Sequence, residues 1–241
     1  MIQFIGALIS GLNLGSIYAL IALGYTMVYG IAKMLNFAHG DIIMVGAYSV
    51  IVSAVTLKLP PVVAILIAVV VCAALGVTIE FLAYRPLRQS PPLAVLITAI
   101  GVSYLLQNLA LLIFGPEQKS TPALFDLPSL TLGGVTVDGI TLLTLGVTAA
   151  IMVGLTLFIN LTRMGKAMRA VSEDRDAAEL MGISVNRTIT LTFAIGSALA
   201  AIAGVLLCSF NTSLMPTTGS MPGIKAFTAA VFGGIGSIPG A

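Results

Sequence analysis

The chain has 241 residues, 58% of them hydrophobic and only 8% charged, where an ordinary soluble domain has roughly 45–50% apolar and about 25% charged residues. That balance excludes a soluble globular protein and makes lipid the solvent. The formal charge of +2, with no polybasic block, gives no footprint for nucleic acid. The two cysteines, Cys72 and Cys208, lie inside apolar runs without metal-ligand spacing, so they read as packing residues and no cofactor is called for.

The uncharged runs are 1–32, 42–57, 59–79, 89–116, 139–162, 188–224 and 226–241, and a spanning helix needs about 20 apolar residues. As one helix, 1–32 would be about 48 Å long, so this segment is expected to overhang the bilayer, tilt or break. Spans are expected near 5–28, 40–58, 61–83, 92–114, 140–161 and 188–209. Pro60-Pro61 separates the second from the third, because proline lacks an N–H and drives its predecessor out of helical space. A seventh span, near 224–241, reads as incomplete, and the sequence is expected to stop before the native protein does.

Alternation puts Lys33, Arg85, Arg88, Arg163, Lys166, Arg169, Arg175 and Arg187 on one side and Lys58, Lys119 and Lys225 on the other. The richer side is expected to be cytoplasmic, which leaves the N-terminus outside. The leading apolar stretch has no charged n-region and is expected to stay as a span rather than be cleaved. Residues 115–139, with Glu117, Asp126, Asp138, Pro122, Pro128 and Gly133-Gly134, form an external loop expected to fold over the outer mouth.

Within the spans, small residues four apart at Gly11/Gly15/Ala19, Ser197/Ala201, Ala200/Gly204 and Gly236/Gly240 suit close helix packing in lipid. Polar side chains are costlier there. Asn13, Ser103, Gln107 and Asn108 are the candidate substrate pathway, and the alternative for each is a hydrogen bond between helices. Thr141, Thr144 and Thr148 share one face. Between the first two spans, Asn36-Phe37-Ala38-His39-Gly40-Asp41 holds the only histidine. Asn36, His39 and Asp41 are read as a gate on broken backbone, or as a capped helix start at the cytoplasmic surface. One histidine without a partner base or metal cluster gives no catalytic constellation, and the glycine strings match no phosphate loop.

Residues 163–187 are too charged to span. Ala170, Val171, Ala177, Ala178, Leu180 and Met181 give a narrow apolar face to a short charged helix that Gly182 would end in the left-handed conformation. This segment is read as a docking helix, with a solvated loop as the alternative.

The string Asp176-Ala177-Ala178-Glu179-Leu180-Met181-Gly182 is similar to the EAA-x-x-x-G coupling motif of ATP-binding cassette (ABC) importer permeases, with Asp for the usual first Glu. Together with Leu35 to Asp41, Tyr84 to Arg88, Leu96 to Ser103 followed by Leu106-Gln107-Asn108, and Lys225 to Gly236, it makes the whole chain resemble the branched-chain amino-acid ABC permease family, in the shorter of its two permease types. The resemblance implies a bacterial or archaeal inner-membrane subunit. Its implied partners are a second related permease, ATP-binding subunits and an extracytoplasmic substrate-binding protein. It also gives Asp176, Ala177, Ala178, Glu179 and Gly182 the role of coupling to the ATPase.

The reading is therefore an all-α polytopic transmembrane bundle, a transport subunit rather than an enzyme, that carries leucine, isoleucine or valine inward. ATP hydrolysis falls to a partner, since the chain has no Walker lysine motif. A urea or short-chain amide permease is the alternative within the class, and an ion-coupled secondary transporter is the alternative outside it.

Overall fold

The computed structural model describes residues 2–121, 124–125, 127–132, 135–210, 212–236 and 240. Nine α-helices lie among them: α1 Ile2–Ala32, α2 His39–Ile51, α3 Pro61–Ile79, α4 Pro92–Phe114, α5 Gly139–Leu161, α6 Arg163–Glu173, α7 Arg175–Leu180, α8 Val185–Phe210 and α9 Ser220–Gly234. Two short antiparallel pairings complete the fold, β1 Lys119–Ser120 with β4 Ser213–Leu214 and β2 Leu130–Leu132 with β3 Val135–Val137. Six helical stretches are long and apolar enough to cross a membrane, while α9 has only 15 residues. The chain is a multi-pass helical membrane protein.

α1 does not break: it runs 31 residues without interruption. Its first half exposes Phe4, Leu8 and Leu12, and its second half buries Ile17, Leu20, Ile21 and Met27 against α8 and α9. α2 extends through a π-helical stretch at Val52–Thr56, and α3 through another at Glu80–Tyr84. α8 is the central post, buried against α1, α2 and α3. The small residues explain part of this packing. A Cβ on Gly204 would lie 2.4 Å from the Ile43 carbonyl oxygen, so α8 meets α2 backbone to backbone. Gly11 and Gly15 differ from expectation, since a Cβ at either would meet no atom within 4 Å. Gly236 sits against Gly30, where a Cβ would come within 3.1 Å of its Cα.

The expected basic residues gather at one end of the bundle, where Arg175 donates to the Ala32 carbonyl and Arg88 reaches Asn186. At the opposite end, Thr121 N–H donates to the Thr212 carbonyl at 2.9 Å and Leu124 packs with Val50, Ala64, Ala68 and Val205. Thr121 and Leu124 of the 115–139 loop thus lie against α2, α3 and α8; its Pro122, Asp126 and Gly133-Gly134 lie outside the described residues. Ser237 to Pro239 and Ala241 lie outside them too.

Two spans depart from full crossings. α1 ends at the basic end, Lys33 takes φ +53°, and residues 34–38 climb back between helices before α2 begins. Helix α2 starts beside the middle of its neighbours: His39 packs on the Tyr25 ring at 4.6 Å, and Asp41 lies beside Gln107 of α4. It then runs parallel to α4, with Tyr48 stacked on Phe114 at 4.1 Å. α4 has by then risen from residue 92 to 107, about 22 Å at 1.5 Å per residue. That lower space is filled by α9, which starts at Ser220 beside Gln107 and descends to Gly236 beside Gly30. The expected seventh span at 224–241 is therefore a half-helix over 220–234, and the expected second span at 40–58 begins inside the bundle rather than at its surface.

Candidate functional site

The N-termini of α2 and α9 meet head to head, and glycines allow the meeting. A Cβ on Gly219 would lie 1.8 Å from the Gly40 carbonyl oxygen, and one on Gly40 would lie 2.7 Å from the Gly219 carbonyl oxygen, distances that no side-chain carbon tolerates. Neither helix has a side-chain cap at Ala38 or Gly219. Two positive dipole ends therefore converge on one place.

Beside that junction is a cavity of about 290 Å³, at the lower limit of small-molecule sites. Its polar wall is Asp41, Ser103, Gln107 and Ser220, and its apolar wall includes Phe37, Ile100 and Ile224. Gln107 is the hub. Its Nε2 donates toward Asp41 Oδ1 at 2.9 Å, Ser103 Oγ at 3.2 Å and Ser220 Oγ at 3.3 Å. An amide NH₂ has two hydrogens, so three acceptors compete for them. Asp41 is 1% exposed, and among the described residues no Lys, Arg or His nitrogen lies within 4.0 Å of its carboxylate.

The expected pathway residues separate. Ser103 and Gln107 line the cavity, as does Asp41, which the sequence had grouped with Asn36 and His39. Asn13 does not: it is buried between helices and its Nδ2 donates to Thr141 Oγ1 at 3.1 Å. The threonine face of α5 thus points to α1, with Thr148 Oγ1 donating to the Ser16 carbonyl at 3.4 Å. Asn108 is exposed on α4, its Nδ2 donating to the Tyr104 carbonyl at 2.7 Å. Asn36 accepts from Tyr84 Oη at 2.9 Å, and the His39 ring fills the gap at Gly24. The reading of all three patch residues as a surface cap is corrected, since each is at most 3% exposed inside the bundle. Ser220 was missed because it lies between the expected spans at 188–209 and 224–241, whereas α9 starts at Ser220 with Gly219 as its N-cap.

At the basic end, the expected single docking helix is two. Asp174 leaves helical space at φ −149° and caps α7, its Oδ1 accepting from Asp176 N–H at 2.9 Å and Ala177 N–H at 3.0 Å. α7 stops at Gly182, which takes φ +81° while Ile183 N–H bonds the Ala178 carbonyl at 3.0 Å and Gly182 N–H bonds the Glu179 carbonyl at 2.9 Å, a Schellman closure. The apolar face is split. Val171 and Ala178 are buried in this chain's own core, whereas Leu180 and Met181 are 89% and 82% exposed. Ala178 is thus buried within this chain, whereas Asp176, Ala177 and Glu179 are exposed. Arg175 anchors α7 to the end of α1; partial burial and then the nearby Arg88 guanidinium push its pKa below the usual arginine value, against the opposing pull of Asp176.

A bundle with half-helix ends meeting over a polar cavity at membrane depth has the architecture of a solute permease. The family model described as branched-chain amino acid transport system / permease component matches residues 7–241, and the chain belongs to that family. It is 45% identical over 251 residues to the high-affinity branched-chain amino acid transport system permease protein BraD of Pseudomonas aeruginosa, covering 99% of this chain and 82% of that protein. It is 44% identical over 255 residues to LivH of Escherichia coli strain K12, covering 100% of this chain and 82% of that protein. No solved structure matches the chain.

Proposed function

We propose that the protein is the membrane permease of an ATP-driven importer that carries leucine, isoleucine and valine across the inner membrane. The observation that carries this reading is the cavity at the α2–α9 junction, where one carboxylate and neutral polar groups face walls of Phe37, Ile100 and Ile224. Such walls suit a small polar molecule with a branched apolar side chain better than urea, which has no apolar part to place. The relatives' names point the same way.

The basic end is cytoplasmic under this reading. There α7 meets ATP-binding subunits through Asp176, Ala177, Glu179, Leu180 and Met181, with Ala178 and Gly182 holding its fold. A second related permease covers the face of α4 and α9, because Asn108 and the cavity rim at Tyr104 would otherwise face lipid. An extracytoplasmic binding protein supplies substrate at the opposite end. The test is uptake by vesicles holding the permease pair with its ATP-binding subunits: ATP-dependent accumulation of leucine but not urea supports the reading, and urea accumulation alone refutes it.

A further inference from the structure

We infer that the Asp41 cavity binds the transported amino acid as a zwitterion, Asp41 taking the ammonium group while the Ser220 hydroxyl and the Gln107 amide, at the positive end of α9, take the carboxylate. This rests on the amino-acid reading above. The first support is the buried carboxylate itself. Asp41 is almost wholly removed from solvent, accepts from the neutral Gln107 amide at 2.9 Å, and has no basic residue on the cavity wall. Buried charges are otherwise paired, and an ammonium group would supply the absent counter-charge.

The second support is the opposite charge of the surrounding backbone. Helices α2 and α9 aim their N-termini at the same junction, without side-chain caps. A cation alone would neutralise Asp41 but meet two positive helix ends; an anion alone would suit the helix ends but oppose Asp41. A zwitterion answers both. Gln107 is built for the exchange, since its two amide hydrogens serve three oxygens within 3.3 Å, and a ligand ammonium on Asp41 releases one of them to the ligand carboxylate. Phe37, Ile100 and Ile224 then flank the side chain.

The site sets a few polar groups among apolar walls, which suits a permease that must release what it holds. Its specificity lies in the two charges of the backbone part of the amino acid, and the side chain meets only apolar contact.

The experiment measures leucine translocated per ATP hydrolysed in vesicles containing the complete complex, with leucine-loaded binding protein at saturation. Asp41→Asn should lower that ratio about 10-fold or more, and Ser220→Ala by a smaller factor, as expected for losing charged and neutral hydrogen bonds respectively. Complex yield should stay near that of the unmodified protein, so that the loss is read in the ratio itself. If Asp41→Asn does not assemble, Ser220→Ala decides, since it removes one oxygen and adds no bulk. Unmodified complex that transports leucine while both variants keep the full ratio overturns the zwitterion site alone. Unmodified complex that hydrolyses ATP but moves no leucine overturns the amino-acid reading and the site with it.

Discussion

Among the described residues the chain buries two carboxylates within its bundle, and it treats them in opposite ways. Glu80 is fully buried, paired with Arg88, and accepts from Thr190 Oγ1 at 2.7 Å, while Arg88 also holds Asn186. That network ties α3 to α8 with every charge answered by the chain itself. Asp41 is equally buried but has only Gln107 and neutral hydroxyls near it, beside a cavity. A bundle able to place an arginine on one acid has left the other without one, and the difference marks the first as structure and the second as a place for a ligand.

The comparison breaks most readily at Glu80. Arg88→Leu would strand that acid without its cation, and we expect a loss of about 3–5 kcal/mol, seen as a collapse in the yield and thermal midpoint of purified permease. Gly219→Ala comes next, at roughly 1–3 kcal/mol, because its Cβ would fall on the Gly40 carbonyl; its transport should fall with its stability. Asp41→Asn should be within about 1 kcal/mol in stability, since Asp41 has no cationic side-chain partner among the described residues and the change loses only its offset of the α2 dipole, and its defect should appear in transport instead. An Asp41→Asn protein as unstable as Arg88→Leu would erase the contrast.

The smallest structural effect belongs to the exposed end of α7. Leu180→Ser together with Met181→Ser should change stability by less than about 0.5 kcal/mol, yet lower substrate-stimulated ATP hydrolysis by the assembled complex. Unchanged coupling would remove these side chains from the ATPase contact. Asn13→Leu should cost about 1 kcal/mol or less and leave transport per assembled complex intact, because its amide bonds Thr141 between α1 and α5 and does not reach the cavity.

Charge gaps alone located the six long helices, and α4 was legible to the residue because Pro91-Pro92 opens it and Gly115 closes it. Hydropathy could not show depth. Residues 34–41 and 215–223 carry polar residues, glycines and prolines that suit a surface connection as well as a buried helix start, and only tertiary packing reveals that both helix starts lie inside the bundle. The spacing of Ser103 and Gln107 identified one wall of the cavity, since residues one turn apart share a face. The other wall comes from α2 and α9, distant in sequence, so no local pattern joined Asp41 and Ser220 to it. Asn108 was misleading because it follows Gln107 directly but is turned about 100° from it around the helix, where it is exposed and bonds the Tyr104 carbonyl rather than reaching Asp41.

The claim on which the rest depends is that α9 begins inside the bundle, beside Gln107 of α4. A Gln107→Cys, Ser220→Cys protein with a protease site introduced between α7 and α8 allows a direct measurement in membranes, by treating with a short bifunctional thiol reagent, cutting, and separating the fragments under denaturing conditions. The account predicts that the two fragments stay joined, and that a Gln107→Cys, Gly234→Cys pair treated identically comes apart. Separation of the Gln107–Ser220 pair, with both cysteines shown to be reactive, would contradict the half-helix junction.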